Sequence, residues 1–262
     1  MDEIAVEQGQ PVLRAEAHGG ILVIELNRPH AKHAFNRALS IALSDTLDRL
    51  DADPSLSAGI VTGAGRTFSS GADLKAILQG ERPYTDKRGG FGIMRRPPEK
   101  PLIAAVEGYA VAGGFELALS ADLIVAAQDA KFGLPEVKRG LVAVGGALFR
   151  LPRRIPYHVA MEMALTGELV GADRLLALGL VNRVVSPGEA LSAALSLAAA
   201  IADNGPLALR ATKQIVFHAS GWSDEAGWAG QRAFADPALR SEDAKEGPRA
   251  FAEKRKPVWR GV

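Results

Sequence analysis

Leu102-Ile103-Ala104-Ala105-Val106 is an unbroken apolar run, and it feeds the glycine-rich segment Gly108-Tyr109-Ala110-Val111-Ala112-Gly113-Gly114. Five apolar residues without alternation read as a buried strand. The glycines that follow read as a turn, with a helix opening at about Gly113. The same logic applies upstream. Residues 12–16 and Ile21–Leu26 flank His18-Gly19-Gly20 as a β-hairpin. Asn36 is placed to cap a helix through Leu50, with Leu39, Leu43, Leu47 and Leu50 at helical spacing. Residues 58–62 and 123–126 read as strands and 73–78 as a short helix. The charged, glycine-rich stretch 80–92 reads as a mobile loop. From Val142 onward the pattern turns helical, over 143–150, 157–164, Ala172–Ala177, 187–202, 206–218, 225–234 and 241–254, with an extended link at 179–184. Strand–helix alternation followed by a helical last third predicts a stacked α/β core with right-handed crossovers and a helical extension.

Composition narrows the function classes. The net charge of +1 gives no steering toward nucleic acid or an acidic membrane. Zero cysteines remove disulfides, thiolate catalysis and cysteine-ligated metal sites, and fit a reducing compartment. Residues 1–10 are polar and acidic, without an apolar leader core. The alanine-rich run 190–202 is too short to span a bilayer. The expected location is cytoplasmic.

Familiar motifs fail in turn. Gly63-Ala64-Gly65 follows a strand, but Phe68 stands where a dinucleotide fingerprint needs its third glycine. No phosphate loop and no His-Glu-x-x-His pair occur. His18, His30, His33, His158 and His218 show no metal-ligand spacing except His30 and His33, which sit in a turn, and all read as surface or packed residues. Arg150, Arg153 and Arg154 read as a solvated helix face, like Lys254-Arg255-Lys256.

A constellation remains. Glu116 follows Gly113 by three residues, within one turn of the same helix start. Glu136 follows Pro135 in the apolar segment Phe132-Gly133-Leu134-Pro135-Glu136-Val137, where desolvation would raise a carboxyl pKa. Ala72, in Phe68-Ser69-Ser70-Gly71-Ala72-Asp73-Leu74-Lys75, follows its own glycine turn before a helix. Helix N-termini expose unpaired N–H groups, and two converging on one oxygen would form an oxyanion hole. Taken singly, a glutamate in an early helix turn is more often a capping or dipole partner, and a glycine run more often serves packing.

In order and over nearly the whole chain, these segments resemble the crotonase, or enoyl-CoA hydratase/isomerase, superfamily. The resemblance also rests on Ile24-Glu25-Leu26-Asn27-Arg28-Pro29, Leu165-Thr166-Gly167, Ala177-Leu178-Gly179-Leu180-Val181, Ser241-Glu242-Asp243-Ala244-Lys245-Glu246-Gly247 and Ala250-Phe251-Ala252-Glu253-Lys254-Arg255. It implies a spiral of repeated ββα units over residues 1–195, carrying the active site, and a C-terminal helical trimerisation region over 196–262. It implies homotrimers, or hexamers as dimers of trimers, acting on acyl-CoA thioesters in fatty-acid metabolism. The thioester oxygen would rest on the N–H groups of Ala72 and Gly113. Glu116 and Glu136, twenty positions apart as in hydratases, would serve as base and acid. Ala31, Lys75, Phe251 and Lys254 would contact the CoA, the last two from a C-terminal region able to reach a neighbouring subunit. No metal or redox cofactor is expected, coenzyme A being part of the substrate.

Two departures stand out. Val144-Gly145-Gly146-Ala147-Leu148 replaces the common Gly-Ala-Gly-Gly-Thr, a variant resembling carnitinyl-CoA dehydratase-like members, and would alter the water site or acyl pocket. Ala31-Lys32-His33 replaces Ala-Leu-Asn. The expected activity is hydration of a trans-2-enoyl-CoA or the reverse dehydration of a functionalised 3-hydroxyacyl-CoA. The rivals are a Δ3–Δ2 enoyl-CoA isomerase using one glutamate and a non-catalytic acyl-CoA binder.

Overall fold

A computed structural model describes residues 5–262. The reading of the N-terminus as free of a leader rests partly on residues 1–4, outside the described residues. Strands β1 (Val6–Glu7) and β2 (Gln10–Pro11) form a small antiparallel pair, followed by the β3 (Leu13–His18) and β4 (Ile21–Leu26) hairpin and α1 (Arg37–Ala52). Then come β5 (Ala58–Gly63), α2 (Leu74–Leu78), the short pair β6 (Tyr84–Thr85) and β7 (Gly89–Gly90), β8 (Leu102–Val106), β9 (Tyr109–Val111) and α3 (Gly113–Ala118). Strands β10 (Leu123–Ala127) and β11 (Lys131–Gly133) precede a 3₁₀ helix, Pro135–Arg139. The remainder runs α4 (Ala147–Arg150), α5 (Tyr157–Thr166), β12 (Val170–Gly171), α6 (Ala172–Ala177), β13 (Arg183–Val185), α7 (Ala190–Ala202), α8 (Pro206–Ala219), α9 (Asp224–Leu239) and α10 (Asp243–Ala252).

The apolar run at β8 sits in the middle of a six-stranded sheet ordered β13-β10-β8-β5-β4-β3, parallel except at the β3–β4 edge. Its side chains alternate between two cores, as strand geometry dictates. Ile103 and Ala105 face α7, whose Ala190, Ala194 and Ala198 form a small-residue stripe four residues apart; Leu102, Ala104 and Val106 face the opposite core. Both faces are covered, so all five residues are buried. The boundary expected after residue 195 falls inside α7, which packs on this sheet.

After each central strand the chain turns into a second, three-stranded sheet ordered β12-β11-β9, where β9 and β11 are parallel. Thus β8, β9 and α3 form one ββα unit, and β10, β11 and the 3₁₀ helix form the next. In the earlier units the second strand shrinks to single bridges, Phe35 with Ala72 and Ser69 with Ala110. This is the spiral of repeated units that the resemblance implied. The link at 179–184 ends in β13, which completes the main sheet.

Helix α1 follows its sequence pattern. The Asn36 side chain accepts from the Leu39 N–H at 3.0 Å, and Leu39, Leu43, Leu47 and Leu50 are fully buried. Segment 80–92 differs from the free loop that its charge and glycines suggested. Buried Arg88 donates to Asp48 and Asp51 at 2.7–2.9 Å, and the Phe91 ring stacks on Phe35 with centroids 4.2 Å apart. These contacts pin the β6–β7 hairpin to α1 and place Phe91 and Met94 beside α3. Among the described residues no single helix is long and apolar enough to cross a membrane.

Candidate active site

Residue Ala112 turns the chain from β9 into α3 with φ 52°, a left-handed conformation for a non-glycine residue. Hydrogen bonds on both sides hold it: its N–H donates to Gly133 O at 2.9 Å, and its carbonyl accepts from Phe115 and Glu116 N–H groups. Gly113 is then the first helical residue, so its N–H has no partner within the helix. A Cβ at Gly113 would lie 2.5 Å from the Phe91 ring, which explains the glycine.

Residue Ala72 supplies the neighbouring backbone. Phe35 N–H donates to Gly71 O at 2.8 Å and Asp73 N–H donates to Phe35 O at 2.9 Å. In a parallel bridge of this kind the middle residue aims its own N–H away from the partner strand. That leaves the Ala72 N–H without a partner among the described residues. The two segments touch, since a Cβ at Gly71 would sit 2.9 Å from Gly113 N. Arg28, 5% exposed, donates to Asp73 at 3.1 Å, and Asp73 caps α2 by accepting from Lys75 and Ala76 N–H groups. This tie fixes the strand end that carries Ala72.

Glu116 lies one turn into α3, 4% exposed. Its Oε1 accepts from Ala147 N–H at 3.2 Å. Burial pushes its pKa up, opposed by the N–H groups of Ala147, Gly145 and Gly146 and by the Arg150 charge. Glu136 is half-buried at the start of the 3₁₀ helix. Its Oε2 is buried without a hydrogen-bond partner among the described residues. Burial raises its pKa too; its own N–H and Arg139 oppose the rise, while the charge of Glu116 adds to it. The two carboxyls therefore sense each other in unlike surroundings. One is wrapped in N–H donors that favour the anion; the other has an oxygen that only a proton or a bound molecule can satisfy.

An aliphatic cavity of about 250 Å³ opens beside Glu136, lined by Leu134, Val142, Ala147, Leu151 and Met161 among others. Among the described residues no group of three or more His, Asp or Glu side chains is arranged to hold a metal ion. His33 is a packing residue, as its sequence context suggested: Nδ1 accepts from Arg28 N–H, so Nε2 donates to Ala64 O.

The other predicted positions divide. Ala31 abuts the Ala72 segment, its carbonyl accepting from Ser70 Oγ at 3.4 Å, and Lys75 is exposed one residue into α2 beyond it. Phe251, 87% exposed, and Lys254 lie at the end of α10. Among the described residues no hydrogen bond joins them to Glu116 or Glu136. Val144 is 88% exposed and does not line the cavity, so the change from glycine falls on the surface of the chain. Arg150 corrects the sequence reading most: it is half-buried and bonded to Ser120, Gly145 and Met94, not a solvated face. Phe91 and Met94 were also missed, because only the β6–β7 hairpin brings them here.

The enoyl-CoA hydratase/isomerase family model matches residues 16–262. A relative described as carnitinyl-CoA dehydratase, from Salmonella paratyphi A, is 44% identical over 257 residues, covering 95% of this chain and 98% of its own. Among solved structures, an enoyl-CoA hydratase from Mycobacterium marinum is 56% identical with a TM-score of 0.94, covering 97% of this chain and 100% of that one. A carnitinyl-CoA dehydratase from Mycobacterium avium is 45% identical with a TM-score of 0.77, covering 96% and 100%. A spiral of this form, matched over almost its full length by relatives of such identity, belongs to the enoyl-CoA hydratase/isomerase, or crotonase, family.

Proposed function

We propose that the chain is a hydro-lyase, an enoyl-CoA hydratase that adds water reversibly and in syn fashion across C2–C3 of a trans-2-enoyl-CoA. The observation that carries this reading is the pair of carboxyls, both raised by burial but unlike in their hydrogen bonding, together with the unpartnered N–H groups of Ala72 at a strand end and Gly113 at the start of α3. The thioester oxygen accepts from the Ala72 and Gly113 N–H groups, which stabilise the enolate-like charge by about 3–4 kcal/mol per donor. Glu116, whose carboxylate the N–H groups of the Gly145–Ala147 turn and the Arg150 charge stabilise against burial, takes a proton from a water whose oxygen bonds to C3. Glu136, held toward its acid, delivers a proton to C2. Returning the proton from Glu116 to Glu136 completes the cycle. Each positioned group supplies roughly 10²–10⁴-fold.

A second reading, dehydration of a functionalised 3-hydroxyacyl-CoA, is favoured by the 44% identity to a carnitinyl-CoA dehydratase. It runs the same chemistry backward. The cavity beside Glu136 weighs against a cationic acyl group, because its lining is aliphatic and lacks the aromatic faces that receive quaternary ammonium groups. Comparing hydration of straight-chain 2-enoyl-CoA thioesters with that of a 2-enoyl-CoA carrying a quaternary ammonium group decides between the two. Faster turnover of the apolar thioesters supports the first reading, and the reverse order supports the second.

The proposal extends to assembly and place. Exposed apolar side chains such as Phe149, Leu165 and Trp228 support burial in a homotrimer or a dimer of trimers. Phe251 and Lys254 then meet the CoA of a neighbouring subunit, and the enzyme works in the cytoplasm without a separate cofactor.

A further inference from the structure

We propose that Arg150 is a positioning residue: its guanidinium ties three walls of the site around the Glu116 carboxyl and supplies the positive charge beside it. The inference rests on the hydratase reading only for its kinetic arm.

The geometry is specific. Nη1 of Arg150 donates to Ser120 Oγ at 3.0 Å and to Gly145 O at 3.4 Å, and Nη2 donates to Met94 O at 2.5 Å. The acceptors come from three separate segments; the end of α3 and the Gly145 turn bond to Glu116, and Met94 closes on Gly145 beside it. Ser120 Oγ donates to the Glu116 carbonyl at 2.8 Å. A Cβ built on Gly145 would lie 2.5 Å from Glu116 Oε2 and 2.4 Å from Met94 Sδ, so the carboxylate and the sulfur close on the same backbone atom. The turn Gly145–Ala147 also presents its N–H groups to the carboxylate. One planar fork therefore holds the end of α3, the turn before α4 and the turn that follows Phe91 in a single register. A lysine ammonium cannot reproduce that planar fork.

The two adjacent glycines follow from this arrangement. Gly145 leaves room for the carboxylate. Gly146, at φ 112°, leaves room for the guanidinium, since a Cβ there would be 2.9 Å from Arg150 Nη1.

The charges around Glu116 are few. Burial opposes its ionisation, while Arg150 and the N–H groups of the turn favour it. Behind Arg150 stands Arg154, which with burial draws the Arg150 pKa down to about 10, still charged at neutral pH. Removing the Arg150 charge leaves only the N–H groups of the turn to oppose burial at Glu116.

The test follows the Glu116 carboxyl by ¹³C NMR titration in glutamate-labelled protein, assigned with Glu116→Gln, beside kcat and KM for crotonyl-CoA. Arg150→Gln should raise the Glu116 midpoint by about one pH unit or more and lower kcat at least tenfold, with KM changed less than threefold. An unmoved midpoint in folded Arg150→Gln overturns the proposal. Arg150→Lys decides the matter if the glutamine variant does not fold: its midpoint should stay near that of the wild type while kcat falls about tenfold. Wild-type kcat in Arg150→Lys overturns the positioning role. A wild type that does not hydrate crotonyl-CoA, combined with the midpoint shift in Arg150→Gln, would refute the hydratase reading and leave the role of Arg150 standing.

Discussion

Replacing Gly145 with alanine separates stability from catalysis at this site. Gly145 does not adopt a left-handed φ, so alanine meets no backbone strain there. The added methyl instead meets side-chain ends, Met94 Sδ at 2.4 Å, Glu116 Oε2 at 2.5 Å and Glu116 Cδ at 2.8 Å. Contact distances for such atoms are near 3.5 Å, so the carboxylate must retreat by roughly 1 Å. Both neighbours are flexible side chains, and pushing one off its rotamer costs about 0.5–1.5 kcal/mol. At about 2–4 °C per kcal/mol, as for a domain of somewhat smaller size, the expected loss of Tm is about 1–6 °C. The kinetic penalty is larger, because a displacement of about 1 Å at a reacting group lowers the rate on the order of 10²-fold. Thermal unfolding and steady-state hydration of crotonyl-CoA measure the two effects on one preparation. Wild-type kcat in a folded Gly145→Ala protein would refute the claim that Glu116 is held where it acts. A collapse in Tm would refute the reading that only flexible atoms stand in the way.

Other expectations follow from the same contacts. Burial raises the folded-state pKa of Glu136, so the wild type loses stability as pH rises through that value, whereas a glutamine there has no proton to lose. Glu136→Gln should therefore gain on the wild type in Tm as pH rises above the ordinary carboxylate range; calorimetry showing a constant difference would contradict this. Phe91→Ala removes the ring stacked on Phe35 and should destabilise the fold by about 3–4 kcal/mol in denaturant titration. In the wild type, amide exchange at Phe91 and Arg95, whose N–H groups donate to Pro83 and Arg88 carbonyls, should be slow. Fast exchange there would restore the picture of a free loop.

Where local chemistry decides the structure, the sequence was readable. Asn36 and the leucines at 39, 43, 47 and 50 announce α1 because cap and period are short-range properties. The run 102–106 announces a strand covered on both faces. The glycines around Ala72 and Gly113 announce helix starts, and the family resemblance tells which glutamates to watch. The rest depends on contacts distant along the chain. Arg150 sits in a basic cluster that looks solvated, and only folding brings Met94 O and Ser120 Oγ to it. Arg88 finds Asp48 and Asp51 across some forty residues, which turns a charged, glycine-rich stretch into an anchored hairpin. Val144 stands in the chain where it would narrow the pocket, but its direction is set by how the turn packs on Glu116. A three-residue strand such as β13 has too little pattern of its own to announce sheet pairing.

The central claim is that two glutamates divide the work of hydration. The most direct measurement is loss of enoyl absorbance on adding crotonyl-CoA to wild type, Glu116→Gln and Glu136→Gln, with a 3-enoyl-CoA assayed alongside for isomerisation. The account predicts rapid loss with wild type, a fall of at least about 10² in both variants, and CoA affinity close to wild type in each. Full hydration by either variant would contradict it. So would a wild type that leaves crotonyl-CoA untouched while isomerising the 3-enoyl thioester through Glu116 alone.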